Sequence, residues 1–266
     1  DAFATPIADL SESIVSDEDS DERCGGDSLF TVIIQTEDVG GSLHSFLRII
    51  EGEDADLAWE VDLGETDEIK ASPVVVDLDY DGKQEILVSF DLSGTFYVKG
   101  YSPELVCSVT GWPPGGSHVT ELLWTYSDST LMIGSTDGPY VSNAYGGHKP
   151  TAQPLLADLD LDGTAELVLS LIEKNSEEPV ILALDITGTS ATSIWEKTLD
   201  KGTHPSDPTF VQTDENTAFV ILTSVQSSTS AMWLWKLDAA DGDSNWDGKS
   251  LENLNNFDSN VPHIRL

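Results

Sequence analysis

Basic residues are scarce: 12 Lys and Arg stand against 48 Asp and Glu in 266 residues, a formal net charge of −36. Nucleic-acid affinity needs cationic side chains to neutralise phosphates, so a nucleic-acid partner is excluded. Anionic membrane surfaces are excluded for the same reason. No run of about 18 apolar residues occurs, so no segment reads as a membrane-spanning helix. An acidic surface of this kind suits high salt, where self-repulsion is screened. That points to a halophilic or marine source, or else to charge that serves divalent cations directly.

Cysteine is almost absent as well. Cys24 and Cys107 either form one disulfide, as expected in a secreted chain, or remain two thiols, as in the cytosol. The first residues, Asp1-Ala2-Phe3-Ala4-Thr5-Pro6, carry no basic or long apolar stretch. They fit a mature end left after signal-peptide removal and a trimmed chain equally well. Catalytic signatures are missing too: there is no Gly-x-Ser-x-Gly elbow, no His-Glu-x-x-His, no Cys-x-x-Cys and no phosphate loop. The five histidines, His44, His118, His148, His204 and His263, are scattered singly. Carboxylate pairs are too numerous among 48 acids to single out an acid and a base.

What the chain does contain is a repeat. Ser72-Pro73-Val74-Val75-Val76-Asp77-Leu78-Asp79-Tyr80-Asp81-Gly82 runs on to Glu85-Ile86-Leu87-Val88. Gln153-Pro154-Leu155-Leu156-Ala157-Asp158-Leu159-Asp160-Leu161-Asp162-Gly163 runs likewise to Glu166-Leu167-Val168-Leu169. Each reads as a short apolar strand, an acidic turn closed by Gly, and a second β-rich strand. Degenerate copies begin at Thr5-Pro6-Ile7 and Pro208-Thr209-Phe210, and Leu131-Met132-Ile133 reads as the second strand of another unit. Leu184-Asp185-Ile186-Thr187-Gly188 precedes Trp195, and Leu237-Asp238 to Gly242 precedes Trp246, with Trp59 and Trp124 in comparable contexts. A Trp at each such corner docks between neighbouring sheets.

No helical periodicity interrupts these units, so the class is all-β. Repetition favours a propeller over a sandwich, because a sheet of this kind buries its faces only against neighbours. The expected architecture is a β-propeller of about five four-stranded blades. The units are 1–71, 72–117, 118–152, 153–206 and 207–260, with 261–266 starting the next.

The Asp-x-Asp-x-Asp-Gly-x-x-Glu turns, each preceded by Pro and an apolar strand, resemble FG-GAP/VCBS repeats. These build integrin-α-like propellers and those of bacterial and archaeal surfaces. The likeness is strong at 72–90 and 153–171, fair at 131–147, and weak at 5–34 and 208–223. Propellers of that family close at seven or eight blades. The resemblance therefore implies an incomplete circle, finished by the rest of a longer polypeptide or by another chain.

Alternating carboxylates converge on one point when a Gly at the sixth position permits the bend, and an all-oxygen ligand set suits Ca²⁺. The candidate ligands of the first loop are Asp77, Asp79, Asp81 and the Lys83 carbonyl, and those of the second Asp158, Asp160, Asp162 and the Thr164 carbonyl. The resemblance adds Glu85 and Glu166 at the ninth position. An EF-hand would use the twelfth, where Val88 and Leu169 stand. A third site is open at Asp243, Asn245 and Asp247.

The function expected from these features is a secreted or cell-surface, calcium-stabilised binding module without enzymatic activity. Adhesion, a surface layer or an appendage are its settings, and a protein or glycan is its ligand. Loops 11–27 and 101–118 are the expected ligand-facing regions. The alternative is an extracellular propeller enzyme, acting on polysaccharide or resembling quinoprotein dehydrogenases.

Overall fold

The structure is a computed structural model. It describes residues 2–3, 7–9, 14–17, 29–51, 57–68, 72–103, 105–107, 120–133, 153–226 and 231–250. Among these residues every regular element is a strand, as the sequence implies.

The first sheet takes β1 (Ala2–Phe3), β2 (Ile7–Asp9), β4 (Leu29–Val39), β5 (Ser42–Glu51) and β6 (Leu57–Gly64); β3 (Ile14–Asp17) lies between β2 and β4 in the chain and pairs elsewhere. The second takes β7 (Thr66–Glu68), β8 (Val74–Val76), β9 (Glu85–Leu92), β10 (Thr95–Pro103) and β12 (Thr120–Asp128), skipping β11 (Leu105–Cys107). The third takes β13 (Leu131–Met132), β14 (Leu155–Ala157), β15 (Glu166–Glu173), β16 (Pro179–Ile186) and β17 (Ala191–Thr198). The fourth takes β18 (His204–Pro205), β19 (Thr209–Asp214), β20 (Thr217–Gln226), β21 (Ala231–Asp238) and β22 (Ser244–Ser250).

All four sheets have the same plan. Two short strands share one edge of the first long strand, and two further long strands follow antiparallel. The described residues thus form four five-stranded sheets in place of about five four-stranded blades. The expected unit 118–152 is divided: β12 pairs with β10 in the second sheet, and β13 pairs with β15 in the third. The physical reason is that a short strand is defined by its hydrogen-bonded partner, and Leu131–Met132 find theirs at Glu173 and Ile172. Residues 134–152 and 251–266 lie outside the described residues, and so does Cys24. The two regions expected as ligand-facing loops also meet: β3 and β11 pair in parallel, with Asp17 opposite Cys107.

Three hydrophobic clusters fill the spaces between consecutive sheets. Phe30, Val32, Leu47 and Trp59 of the first meet Ile86, Val88 and Phe90 of the second. Leu87, Phe96, Val98 and Trp124 meet Leu167, Leu169, Leu171 and Leu182 of the third. Val168, Ile181, Ala183 and Trp195 meet Val220, Leu222, Trp235 and Leu237 of the fourth. Sheets two and three are covered on both faces, which is why β9 and β15 are buried from Glu85 to Asp91 and from Glu166 to Ile172. It is also why their sequences run apolar instead of alternating. In the first sheet β5 alternates buried and half-buried residues from Ser45 to Ile50, the pattern of a strand with one covered face.

Trp residues mark one register position in every sheet. Trp59, Trp124, Trp195 and Trp246 lie opposite Ile49, Gly100, Ala183 and Lys236, each beside a register shift. Trp124 Nε1 donates to the Thr187 carbonyl of the next sheet at 2.9 Å, and Trp195 Nε1 does the same to Ala239 at 2.9 Å. Trp59 is fully buried with its ring edge-on to Tyr101 of the second sheet. The expected role of the corner Trp, docking between sheets, is therefore what the first three do.

Candidate metal centre

Each acidic loop joins a short inner strand to the long strand beside it. Val74–Val76 and Leu155–Ala157 pair antiparallel with the first residues of β9 and β15. The connection is eight residues long, and its backbone N–H groups need partners. Aspartates supply them locally. Asp77 accepts from the N–H of Asp81 at 3.1 Å and of Gly82 at 3.1 Å, while Asp79 accepts from Asp81 at 3.2 Å. In the second loop Asp158 accepts from Asp162 at 2.9 Å and Gly163 at 3.0 Å, and Asp160 from Asp162 at 3.2 Å.

Backbone conformation repeats as well. Tyr80 and Leu161, at the fourth position, have φ of 58° and 62°; Gly82 and Gly163, at the sixth, have 94° and 98°. A left-handed conformation costs a side-chain-bearing residue roughly 1–2 kcal/mol. Tyr80 and Leu161 are thus held there against their own preference, a feature the sequence did not signal.

Oxygens of Asp77, Asp79 and Glu85 lie within 4.8 Å of one another, as do those of Asp158, Asp160 and Glu166. First, third and ninth positions are therefore brought together twice. The fifth position is not. Asp81 instead accepts from the N–H of Lys83 at 2.8 Å, and Asp162 from the N–H of Thr164 at 2.8 Å and its hydroxyl at 2.5 Å. Those bonds lower the Asp162 pKa. Of the third candidate site, the side chains of Asn245 and Asp247 lie outside the described residues.

Glu85 and Glu166 begin long strands, and only 3% of each is exposed. One carboxylate oxygen accepts from the N–H of Leu78 at 2.7 Å, or of Leu159 at 2.6 Å. Burial pushes Glu85 up to about 6 and Glu166 up to about 7, the neighbouring aspartates add to the rise, and the backbone donors oppose it. Charges about 4 Å apart repel by roughly 4 kcal/mol at an effective dielectric of 20. A buried carboxylate facing two others must bind a proton or a cation. All the converging atoms are oxygens, the donor set of a hard divalent ion. The residues therefore fit a metal ion.

No family model matches the chain, and no curated protein matches it. Among solved structures it is similar to an exotype rhamnogalacturonan lyase, with 15% identity and a TM-score of 0.39, over 82% of this chain and 49% of that one. It is similar also to a rhamnogalacturonan lyase of Bacillus licheniformis, with 13% identity and a TM-score of 0.39, over 84% of this chain and 51% of that one. The chain spans about half the length of the solved structures it matches. Both are enzymes by name, and this overturns the expectation, drawn from missing motifs, of a chain that is not an enzyme. Motifs are a poor guide there, because carboxylates and single histidines carry no spacing signature in a sequence this acidic.

Proposed function

We propose that the chain is a calcium-stabilised segment of an extracellular β-propeller of FG-GAP/VCBS type, whose loops engage a polysaccharide. Calcium occupies the triads Asp77, Asp79, Glu85 and Asp158, Asp160, Glu166, with the Lys83 and Thr164 carbonyls completing each shell. The observation that supports this reading is the repetition, backbone bond for backbone bond, of two loops that each bury one glutamate against two aspartates. The ion supplies positive charge where three carboxylates meet. The protein's own part is to fix the inner strand to β9 or β15 and so hold the edge of the sheet.

Thermal unfolding in chelator, then with added Ca²⁺, at low and high monovalent salt, tests it. A calcium-specific rise in midpoint supports the reading. A response no larger than that to monovalent salt reduces both loops to acidic turns.

A second reading, favoured by the names of both similar solved structures, makes the protein a polysaccharide-acting enzyme. Incubation with acidic polysaccharides, following the ultraviolet absorbance of unsaturated sugar ends, distinguishes cleavage by elimination from binding. Retardation of the chain in gels cast with the same polymer reports binding alone. Neither signal with any polysaccharide would leave a protein ligand as the partner.

A further inference from the structure

The two acidic loops touch across neighbouring sheets. The Tyr80 hydroxyl, carried by the first loop, donates to the Gly163 carbonyl of the second at 3.1 Å. That carbonyl belongs to the peptide group joining Gly163 to Thr164, whose N–H donates to the Asp162 carboxylate at 2.8 Å. One peptide plane of the second loop is thereby held from both sides, on one side by its own loop and on the other by its neighbour. A second contact runs between the same sheets. Asp79 lies so close to Gly188, in the turn between β16 and β17, that a Cβ built there would stand 3.0 Å from its carboxylate oxygen.

Tyr80 sits between Asp79 and Asp81 in the left-handed conformation. An ion drawing Asp77, Asp79 and Glu85 together fixes the backbone on which Tyr80 stands, and so fixes where its hydroxyl points. The loops are not equivalent in this respect. Leu161 occupies the same position in the second loop, has no hydroxyl, and packs against the cluster between the third and fourth sheets.

Resting on the calcium reading above, we infer that the two sites bind cooperatively, the Tyr80 hydroxyl carrying part of the coupling between them. Occupation of the first loop orders the Gly163–Thr164 peptide of the second, next to the Thr164 carbonyl assigned as a ligand. Linkage makes the effect reciprocal: an ion in the second loop raises affinity in the first by the same factor. One neutral hydrogen bond that forms fully only when both loops are ordered corresponds to a coupling of about fivefold.

Calorimetric titration of the full chain with Ca²⁺ tests this, in the wild type, in Tyr80→Phe, in the double variant Asp158→Asn/Asp160→Asn, and in the triple combination. Two ions are expected in the wild type and in Tyr80→Phe. Disabling the second loop should weaken the remaining site about fivefold when Tyr80 is present, and by a smaller factor when Phe replaces it. The same loss with either residue at position 80 overturns the share assigned to Tyr80, no loss in either background overturns the coupling itself, and an ion count of two keeps the calcium reading in both cases. No ion bound by the wild type overturns both. Circular dichroism of each variant in Ca²⁺ confirms that the folds compared are the same.

Discussion

The loops at 77–85 and 158–166 are nearly the same object locally and different objects in their surroundings. Within each loop the bonds from backbone N–H groups agree pair by pair, and the φ values at the fourth and sixth positions agree within a few degrees, while the Thr164 hydroxyl adds bonds to Asp162 and Glu166 that Lys83 does not make. Outside it, Tyr80 is 68% exposed and reaches the other loop, whereas Leu161 is half-buried and faces the fourth sheet. Burial raises both glutamates, Glu85 to about 6 and Glu166 to about 7. A nine-residue pattern of Asp, Gly and Glu is thus enough to set a loop's internal geometry. Its electrostatics and its neighbours are set by which sheets lie on either side.

Removal of the ions is the largest test of that likeness. An ion present at a hundred times its dissociation constant stabilises by about 2.7 kcal/mol, so chelation should lower the unfolding midpoint by roughly 5–10 °C for each occupied loop. Glu85→Gln and Glu166→Gln should each abolish about half of the calcium-dependent shift. A full loss from either one would mean that the loops do not act as two sites.

Backbone conformation comes next. Gly82 and Gly163 have positive φ with nothing within 4 Å of a built Cβ, so alanine there meets strain and no clash. Gly82→Ala and Gly163→Ala should each cost about 1–2 kcal/mol in denaturant unfolding. Equal losses would confirm that the loops are locally equivalent.

Acidity acts on both loops. Their glutamates have folded-state pKa values near 6 and 7, above the ordinary 4.5. The folded chain therefore holds protons that the unfolded chain has released, and this contribution is complete below pH 4.5. In chelator, stability should fall as pH rises from 4.5 through about 6 to about 7, as both loops lose their protons. Saturating Ca²⁺ should reverse the trend, since the ion needs both carboxylates ionised. Melting curves between pH 4.5 and 8 in the two buffers show the sign directly.

The smallest effect concerns the neighbourhood of one loop only. Gly188→Ala places a methyl group against Asp79. It should weaken the first site a few-fold and act on the second only through the coupling between them. Site-resolved binding, read by combining it with Glu85→Gln or Glu166→Gln, checks which loop responds.

Legibility followed the range of the interactions. The acidic loops could be read because Asp, Gly and Glu at fixed spacing act over a few residues. Asp81 and Asp162 share the alternation, and in the structure each accepts from an N–H two residues on. The competing partner, an N–H two residues on, is equally local but looks identical in a string of letters. The blade boundaries failed where pairing was remote. Leu131 and Met132 resemble the middle of a blade in sequence, yet their hydrogen-bond partners lie about forty residues away in β15. The corner Trp is the sequence feature that matches the sheet number, occurring once in each of the four five-stranded sheets.

By itself the sequence determined the all-β class, the repeat and the two carboxylate loops, because each depends on composition or on spacing within one turn. Tertiary structure alone decided that the five-stranded sheets number four among the described residues and that β3 and β11 pair. It alone decided that sheets two and three are buried on both faces, and that Tyr80 of one loop bonds Gly163 of the other. These are contacts between residues far apart in the chain. Packing between sheets selects them, and no local pattern of side chains encodes which surfaces will meet.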